Sequence, residues 1–248
     1  GRLAALGLET VQVFLKPIVG IISTGDELVP VDQTPKPGQI RDVNSYTLAL
    51  QAGQAGAQVH SYGIVADKQE QMHTTLHKAL SCCDLVLLSG GSSVGTRDLA
   101  LSVLNDFKGS EILAHGVALS PGKPTILARI DSKPVLCLPG QVTSAQVVMS
   151  VLVNPFIKHL SGAVDPFSWF FRPRLKAQLS RNIASKQGRE DYVRVKLLTQ
   201  KGEIPMAEPV LGKSGLLGSM LKANGLICIP RSEEGLKSGS SVDVWLFE

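Results

Sequence analysis

The 248-residue sequence predicts a three-layer α/β domain with a mostly parallel sheet, followed by a small all-β domain. Apolar runs alternate with amphipathic helical patterns as far as residue 160, and parallel strands need such crossover helices. After "SGAVDPFSW" (161–169) the pattern changes to short alternating runs punctuated by Gly and Pro. We therefore expect an α/β domain at 17–165, a β sandwich or partly open barrel at 166–248, and a remnant of a preceding domain at 1–16.

The predicted strands and helices of the first domain follow one another along the chain. The strands cover 17–23, 58–65, 84–90 and a pair, "TILARI" and "KPVLCLPG", around the turn residues Asp131 and Ser132. The helices cover 44–57 with Asn44 as N-cap, 68–82, 98–107, and 141–160 with a bend or break near Pro155. In such a sheet the carboxyl ends of the parallel strands, where ligands bind, meet at one edge.

Composition narrows the possible classes of function. No apolar run approaches the roughly 20 residues that span a bilayer. Only three Tyr and two Trp occur, so no stacking platform for nucleic acid is evident and we expect neither a membrane nor a nucleic acid as partner. The four cysteines lack CxxC spacing, which predicts reduced thiols in a cytoplasmic compartment: Cys82, Cys83, Cys137 and Cys228.

Two other kinds of site have little support in this sequence: a histidine metal site and a Ser-His-Asp catalytic site. His73 and His77 lie four residues apart on a predicted helix, a spacing that can bind a metal ion. No third ligand lies near them in the sequence, so we expect a solvent-facing pair. A GxSxG nucleophile turn, which Ser-His-Asp catalysis on an α/β sheet uses, is absent.

Polar, glycine-bearing loops follow the predicted strands: "STGDEL" (23–28), "GGSSVGTRD" (90–98) and "LPGQVTSA" (138–145). Their glycines let backbone N–H groups approach an anion, and the helix expected to begin near Asp98 adds a positive dipole end. In "SPGKPT", Lys123 stands between two prolines that restrict its backbone. Each loop alone also fits an ordinary turn. Together they predict a polyanion site, with a divalent ion such as Mg²⁺ reconciling Asp26 and Glu27 with a phosphate.

The ordered set "STGDEL", "GQIRDVNSYTL", "LLSGGSSVGTRD", "SPGKP" and "LPG" resembles the MoeA and gephyrin E-domain family, the molybdopterin molybdenumtransferases. The tail, with "GREDYVRV", "GKSGLLGSMLKANGLICIP" and "EGLKSGSSVDVWL", is similar to the C-terminal β domain of that family. The resemblance covers nearly the whole chain. It implies a molybdopterin-binding, MogA-like α/β domain followed by a β-barrel-like domain.

The resemblance also implies an activity. Members of the family insert molybdenum from molybdate into adenylylated molybdopterin in the presence of Mg²⁺ and release AMP. We therefore expect a cytoplasmic transferase that acts as a homodimer, with other enzymes of cofactor biosynthesis as partners.

Individual residues receive roles from the same resemblance. Glu27, Asp67 and Asp98 match acidic positions of the family and would act in catalysis, coordinating Mg²⁺ or orienting molybdate and the hydrolytic water. The loop at 90–95 and Lys123 would hold the pterin phosphate or pyrophosphate. The whole expected cofactor-binding set is Thr24, Gly25, Gly90, Gly91, Ser92, Ser93, Gly95, Pro121, Gly122, Lys123, Pro139, Gly140, Ser144 and Ser214.

Some positions depart from the pattern of the family. Gly116 and Ser120 stand where some members carry lysines, Thr96 replaces a frequent acidic residue, and Gln141-Val142 replaces Asn-Pro. Fewer cations weaken the stabilisation of an oxyanion such as molybdate. A non-catalytic molybdopterin-binding or assembly module, and an Mg²⁺-dependent phosphate-ester hydrolase on the same domain, therefore remain open alternatives.

Overall fold

The computed structural model describes residues 1–90, 94–168, 174–199, 204–212 and 217–247, without the side chains of residues 94–97, 217 and 219. The strands of the first domain are β1 (Ile18–Thr24), β2 (Leu28–Val29), β3 (Ile40–Arg41), β4 (Gln58–Val65), β5 (Leu85–Ser89), β6 (Ser110–His115), β7 (Leu119–Ser120), β8 (Ile126–Ile130) and β9 (Lys133–Leu138). Its helices are α1 (Arg2–Ala5), α2 (Asn44–Gln54), α3 (Gln69–Cys82), α4 (Val94–Asn105), α5 (Val142–Val148) and α6 (Asn154–Leu160).

Six of these strands form the central sheet, in the order β4-β1-β5-β9-β8-β6. The first four run parallel, β8 is antiparallel to β9, and β6 is antiparallel to β8, which confirms the mostly parallel sheet. From β1 the chain crosses by α2 to β4 on one side, and from β4 it crosses by α3 to β5 on the other side. The crevice between the ends of β1 and β5 is therefore the switch point at which sheets of this type bind ligands.

Helices cover both faces of the sheet, as predicted for three layers. On one face α2, α5 and α6 bury a cluster that includes Leu48, Leu87, Met149 and Ile157. On the other face α3 and α4 bury a second cluster that includes Leu76, Val86 and Leu104. Each fully buried aliphatic side chain stabilises the fold by about 1.5–3 kcal/mol, so both layers contribute to holding the strand ends in place.

One helix is capped by another residue, and a second begins at another residue, than the sequence predicts. Asn44 is not the N-cap of α2, because it lies inside the helix with Val43 as the preceding residue. The first turn is instead capped by Asp42, whose Oδ1 accepts a hydrogen bond of 3.1 Å from the backbone N–H of Ser45. Helix α4 begins at Val94 rather than near Asp98, so Asp98 lies in its second turn.

The helical run after β9 changes its winding before Pro155. A π-helical turn, Met149–Val153, joins α5 to α6, and Pro155 is the second residue of α6. Proline has no N–H to donate to a carbonyl group of the preceding turn, and its ring needs space beside that turn. A wider turn therefore lets the helix continue through Pro155. The bend or break predicted near Pro155 is thus a local π-helical widening.

The second domain consists of β10 (Arg174–Leu179), β11 (Ile183–Ala184), β12 (Glu190–Leu198), β13 (Met206–Pro209), α7 (Leu217–Lys222), β14 (Gly225–Ile229), β15 (Gly235–Leu236) and β16 (Ser241–Leu246). Strand β13 pairs with both β10 and β12, so the order β13-β10-β16-β14-β12 closes on itself as a small barrel. Its interior holds Val195, Ile227, Ile229 and Val244, each fully or almost fully buried. The predicted β domain is confirmed, with the short helix α7 as an addition.

The two domains share both hydrogen bonds and an apolar cluster. Strand β7 runs parallel to the start of β12, and the N–H of Glu190 donates a 2.9 Å hydrogen bond to the carbonyl of Ala118. The cluster at the junction contains residues of both domains: Leu119, Val147, Val151, Tyr192, Leu226 and Trp245. The loop that follows β7 is therefore fixed by the second domain as well as by the first.

Among the described residues, no helix has both the length and the apolar character needed to cross a bilayer.

Candidate functional site

The ends of the parallel strands lie side by side at one edge of the sheet. The N–H of Gly25, just past β1, donates a 3.3 Å hydrogen bond to the carbonyl of Val65 at the end of β4. The N–H of Gly90, just past β5, donates a 3.4 Å hydrogen bond to the carbonyl of Leu138 at the end of β9. The loops "STGDEL", "GGSSVGTRD" and "LPG" thus begin at the same edge.

Gly90 is required by the close approach of the β1 and β5 ends. Its φ is +152°, and a Cβ at this position would lie 2.2 Å from both the carbonyl oxygen and Oγ1 of Thr24. Gly25, with φ +151°, faces the carboxylate of Glu27, because a Cβ there would lie 2.7 Å from Oε2. Glu27 therefore turns back over the end of β1, towards the switch point.

The side chain of Asn44 connects the ends of two strands. Its Nδ2 donates hydrogen bonds of 2.8 Å to Oγ of Ser89 and 2.9 Å to the carbonyl oxygen of Gly140. The side chain is buried, so these bonds are made away from solvent and hold the ends of β5 and β9 in register. The sequence analysis missed this role, although the Asp two positions earlier in "RDVN" is an equally good N-cap and would have left Asn44 free for another task.

Three carboxylates gather where β1 and β4 end: Asp26, Glu27 and Asp67. Partial burial, together with the negative charges of Asp26 and Glu27, raises the pKa of Asp67, and a hydrogen bond from the Asp26 backbone opposes this only in part. Oδ1 of Asp67 is buried and has no hydrogen-bond partner. Carboxylate oxygens are ligands that Mg²⁺ prefers, but among the described residues these three side chains do not bring three oxygen atoms within 4.8 Å of one another.

Asp98 lies on α4 rather than in the loops that follow β1 and β4. It is exposed in the second turn of α4. In the part of the chain that the structure describes, Glu27, Asp67 and Asp98 do not bring three carboxylate oxygens within 4.8 Å of one another. The negative charges that act on Asp67 are those of Asp26 and Glu27, of which Asp26 is not among the predicted metal ligands, and Asp98 is not among the groups that shift the pKa of Asp67.

Lys123 lies at the same edge because β8 runs antiparallel to β9. Ile126 pairs with Cys137, so the loop just before β8 comes next to the carboxyl end of β9. Gly122, with φ +134°, is buried against α5, where a Cβ would lie 2.7 Å from Cγ2 of Val148. The exposed Lys123 lines a cleft of about 370 Å³ together with His115, Gly116 and Pro124.

Hydrogen bonds within the 120–125 loop keep Lys123 in position. Oγ1 of Thr125 donates a 2.7 Å hydrogen bond to the carbonyl of Gly122, and the N–H of Val117 donates one of 3.0 Å to the carbonyl of Lys123. The adjacent Ser120 contacts Asp191 of the second domain. A fixed backbone presents the ammonium group with less conformational entropy to lose on binding an anion.

The other predicted residues fall into two groups. Thr24, Pro139 and Ser144 are buried, Pro121 and Gly140 are partly buried, and Gly95 lies in the first turn of α4. Gly91, Ser92, Ser93 and Ser214 lie outside the described residues. The predicted phosphate loop is thus represented by Gly90 at its start and by α4, whose positive end faces the edge where the strands end.

The His73 and His77 pair has a packing role. The ring of His73 stacks on Phe107 with centroids 4.2 Å apart, and the ring of His77 lies 6.5 Å from the same centroid. This contact joins α3 to the end of α4 and explains the helical spacing of the two histidines.

Two family models together match most of the chain. Residues 20–159 match a probable molybdopterin binding domain, and residues 176–247 match the MoeA C-terminal region, domain IV. Each match coincides with one of the two domains described above.

Several relatives match over nearly the whole chain. A putative molybdopterin biosynthesis protein of Methanocaldococcus jannaschii is 32% identical, with 99% of this chain and 59% of the relative covered. The molybdopterin molybdenumtransferase of Haemophilus influenzae is 30% identical, with 98% and 59% covered. A solved structure of a MoeA protein from Pyrococcus horikosii is 35% identical, has a TM-score of 0.82, and is matched over 100% of this chain and 58% of its own. The chain thus spans less than two thirds of the length of these relatives.

Proposed function

The chain belongs to the MoeA family, with a molybdopterin-binding domain followed by the MoeA C-terminal domain, and we propose that it inserts molybdenum from molybdate into adenylylated molybdopterin and releases AMP. The curated relatives named molybdopterin molybdenumtransferase support a place in molybdenum cofactor biosynthesis. The observation that carries the proposal is the meeting of the β1, β4, β5 and β9 ends, an acidic cluster and Lys123 at one edge of the sheet.

The phosphate would bind at the side of the edge that carries Lys123 and backbone N–H donors. Lys123 and the loop at 90–95, with the N-terminus of α4 behind it, would bind the phosphate or pyrophosphate of the pterin. Lys123 would supply a point charge, whereas the first N–H groups of α4 would supply donors along the helix axis. The set would hold the phosphoanhydride still while its bond to AMP breaks, and would stabilise the negative charge that develops.

The acidic side of the edge would hold Mg²⁺. Asp67 and Glu27, with Asp26 beside them, would hold the ion, which neutralises charge on phosphate oxygens when it is bound. Asp98 would orient molybdate or the hydrolytic water from the side of α4. Asn44 would maintain the spacing of the two phosphate-facing strand ends without touching the ligand.

The proposal includes a cytoplasmic homodimer, with other enzymes of cofactor biosynthesis as partners. Large apolar side chains on β3 and α2 support a contact between subunits, since Ile40, Tyr46 and Leu50 are each between 56% and 65% exposed. The N–H of Ile40 donates a 2.8 Å hydrogen bond to the carbonyl of Glu27, so a second copy bound at β3 would lie beside the acidic loop.

The direct test is a turnover assay with adenylylated molybdopterin, molybdate and Mg²⁺, in which AMP is measured by chromatography. AMP release should need molybdate and Mg²⁺, and Asp67→Ala and Asp98→Ala should abolish it. The exposed Glu233→Ala in the second domain is the matched control and should keep full turnover. Normal turnover in both aspartate variants would remove their proposed catalytic roles.

One observation favours a second candidate, a non-catalytic pterin-binding or assembly module. Gly116 lines the cleft of Lys123 without adding a charge, and the neighbouring Ser120 contacts Asp191. The cleft therefore contains Lys123 as its cation among the described lining residues, and this favours binding over oxyanion chemistry. Isothermal titration with molybdopterin, followed by the turnover assay on the same sample, separates the two functions, because the module should bind without releasing AMP.

A further inference from the structure

Three potential metal ligands meet at the amino-terminal half of the sheet. One ring nitrogen of His60 and the sulfur atoms of Cys82 and Cys83 all lie within 4.8 Å of one another. His60 is on β4 and pairs with Gly20 in the middle of β1, whereas Cys83 comes just before β5 begins. The proposed pterin site lies at the carboxyl ends of the same strands, so this group is separate from it.

The change of backbone conformation at the end of α3 brings the two sulfur atoms together. Cys82 is the last residue of α3, and Cys83 has extended angles, φ −108° and ψ 151°. Neighbouring side chains point to opposite faces in a strand and diverge by about 100° on a helix. At a helix-to-strand junction neither rule applies, and here both thiols face the same side of β4.

Gly20 provides the space for the group. A Cβ at this position would lie 3.0 Å from Sγ of Cys83 and 3.2 Å from Cε2 of Tyr62. A glycine in the middle of a central strand weakens the strand, and it often marks a place where another group approaches the backbone closely. The group that approaches here is the buried Cys83 thiol.

The surroundings favour thiolate on the exposed cysteine. The Tyr62 hydroxyl lies 2.9 Å from Sγ of Cys82 and 3.5 Å from Sγ of Cys83. Its hydrogen bond is the largest of the effects that lower the pKa of Cys82. The ammonium of Lys133 donates a 2.9 Å hydrogen bond to the carbonyl of Cys83 and so brings a positive charge close to both thiols.

The buried cysteine behaves differently. Burial is the largest effect on Cys83 and raises the pKa of its thiol. A thiol of this kind ionises when a cation binds to its sulfur.

We propose that His60, Cys82 and Cys83 bind one Zn²⁺ ion, with the Tyr62 hydroxyl or a water molecule in the fourth position. Two thiolates and a neutral imidazole balance the charge of Zn²⁺, and binding releases the two thiol protons. Zn–S and Zn–N bonds of about 2.3 and 2.1 Å place tetrahedral ligand atoms roughly 3.4–3.8 Å apart. Ligand atoms that already lie within 4.8 Å reach this spacing by small rotations of the side chains.

The ion would join the C-terminus of α3 to the edge strand β4. Strand β4 pairs with β1 alone, so one of its edges is open within the described sheet. Because an ion that binds only the folded state stabilises that state, Zn²⁺ should raise the melting temperature of the chain. This role does not depend on the proposed transferase activity.

Cobalt substitution tests the proposal with the full chain, after metal removal and reduction with a phosphine. One equivalent of Co²⁺ should produce thiolate-to-cobalt charge-transfer absorption and tetrahedral ligand-field bands, and Zn²⁺ should displace it. Cys82→Ser, Cys83→Ser and His60→Gln should each weaken Zn²⁺ binding by more than about 100-fold, and Tyr62→Phe by about tenfold. The matched control is Cys228→Ser, because Cys228 is a free cysteine outside the group.

The same samples give a second measurement that does not use absorbance. Zn²⁺ should raise the melting temperature of the wild type and of Cys228→Ser, but not that of Cys82→Ser or His60→Gln. Cys82→Ser removes an exposed thiol, so this variant should fold even if Cys83→Ser does not. Unchanged Co²⁺ spectra in Cys82→Ser and His60→Gln would overturn the proposal. So would a Cys82–Cys83 disulfide in place of metal binding under the reducing conditions of the assay.

Discussion

The backbone N–H of Asp67 donates a 3.0 Å hydrogen bond to Oδ1 of Asp26 and so links the loops that follow β1 and β4. This bond holds two carboxylates close together, with Glu27 as a third. Such proximity is unfavourable unless a proton or a cation reduces the negative charge, as the raised pKa of Asp67 indicates.

The acidic cluster predicts a dependence of stability on pH and Mg²⁺. Because the pKa of Asp67 is raised in the folded state, the folded state holds its proton more tightly than the unfolded chain does. The free energy of unfolding should therefore fall as the pH rises from the unfolded value of about 3.9 through the folded pKa. At neutral pH, Asp67→Asn should raise the free energy of unfolding by no more than about 1 kcal/mol, because solvent partly screens this group, which is not fully buried.

Urea denaturation with and without Mg²⁺ measures this effect. Mg²⁺ should stabilise the wild type and have a smaller effect on Asp67→Asn. The control is Glu233→Gln, which removes an exposed carboxylate in the other domain and should respond to Mg²⁺ like the wild type. Equal Mg²⁺ stabilisation of Asp67→Asn and the wild type would show that the cluster is not the Mg²⁺ site.

Lys123→Ala should weaken the binding of molybdopterin about 10- to 100-fold, because one charge-assisted hydrogen bond to phosphate contributes about 1.5–3 kcal/mol. The affinity of the variant should also depend less on salt concentration, since a charge–charge contact is lost. Isothermal titration at two ionic strengths measures both effects. Lys108→Ala changes an exposed lysine in the turn after α4 and should bind like the wild type. An unchanged affinity in Lys123→Ala would place the phosphate elsewhere.

Gly90→Ala should destabilise the first domain by about 3 kcal/mol, because its Cβ would overlap Thr24 and neither backbone can move without breaking the sheet. Gly38→Ala is the control, because it measures the cost of a positive φ without such a clash. Gly38 has φ +84°, and no atom lies within 4 Å of the place that a Cβ would take, so its replacement should cost only about 1 kcal/mol. Chemical denaturation of both variants gives the comparison, and equal costs would contradict the close approach.

Asn44→Ala should lower the free energy of unfolding by about 1–3 kcal/mol, since it leaves the partly buried carbonyl of Gly140 and the buried hydroxyl of Ser89 without this donor. It should also increase amide exchange at the ends of β5 and β9, which the side chain connects. Ser45→Ala, at the next position of α2, is the control for changes in helix propensity. Hydrogen exchange that is the same in both variants would remove the bridging role of Asn44.

Asp191→Asn should change the acid stability of the domain junction. Burial acts to raise the pKa of Asp191, but hydrogen bonds from Ser185, Ser120 and Arg189 outweigh it, and the pKa is lowered. The ionised group therefore stabilises the fold above the unfolded value of about 3.9, and this contribution is lost as the pH falls through the folded pKa.

Unfolding between pH 7 and pH 3 measures this loss. Asp191→Asn should lower the free energy of unfolding by about 1–2 kcal/mol at neutral pH and show a smaller decrease at low pH than the wild type. Asp243→Asn is the control, because its ion pairs with Arg174 and Lys176 are 3.6 and 3.7 Å long and their side chains are between 35% and 78% exposed. If the free energy of unfolding of Asp191→Asn depended on pH as that of the wild type does, Asp191 would not be the source of this acid sensitivity.

The sequence predicts that the strands end at one shared edge of the sheet, because strands that alternate with helices follow a general topological rule. Strand β4 covers 58–65, as predicted, and parallel strands that alternate with helices must end on the same side. The start of α4 was predicted four residues too late, because "GGSSVGTRD" offers several residues that can precede a helix. Local propensity alone does not choose among them.

Sequence patterns do not predict contacts between segments that lie far apart along the chain. Asn44 bonds to residues 45 and 96 positions away, and a polar residue at a helix start gives no sign of such partners. His60, Cys82 and Cys83 lack metal-ligand spacing because the fold, and not the sequence, brings them together. The two-residue strand β7 is too short to produce any period of its own.

Strand β12 uses one edge for two partners, β7 at its start and β13 at its end. On the ribosome, Leu119 and Ser120 are synthesised about seventy residues before the strand that pairs with them. A nascent chain can thus complete the central sheet while the segment that carries Lys123 still lacks its last neighbour. Lys123, which we propose binds the anion, should accordingly be the part of this edge that reaches its final structure last, after the barrel has been translated and docked.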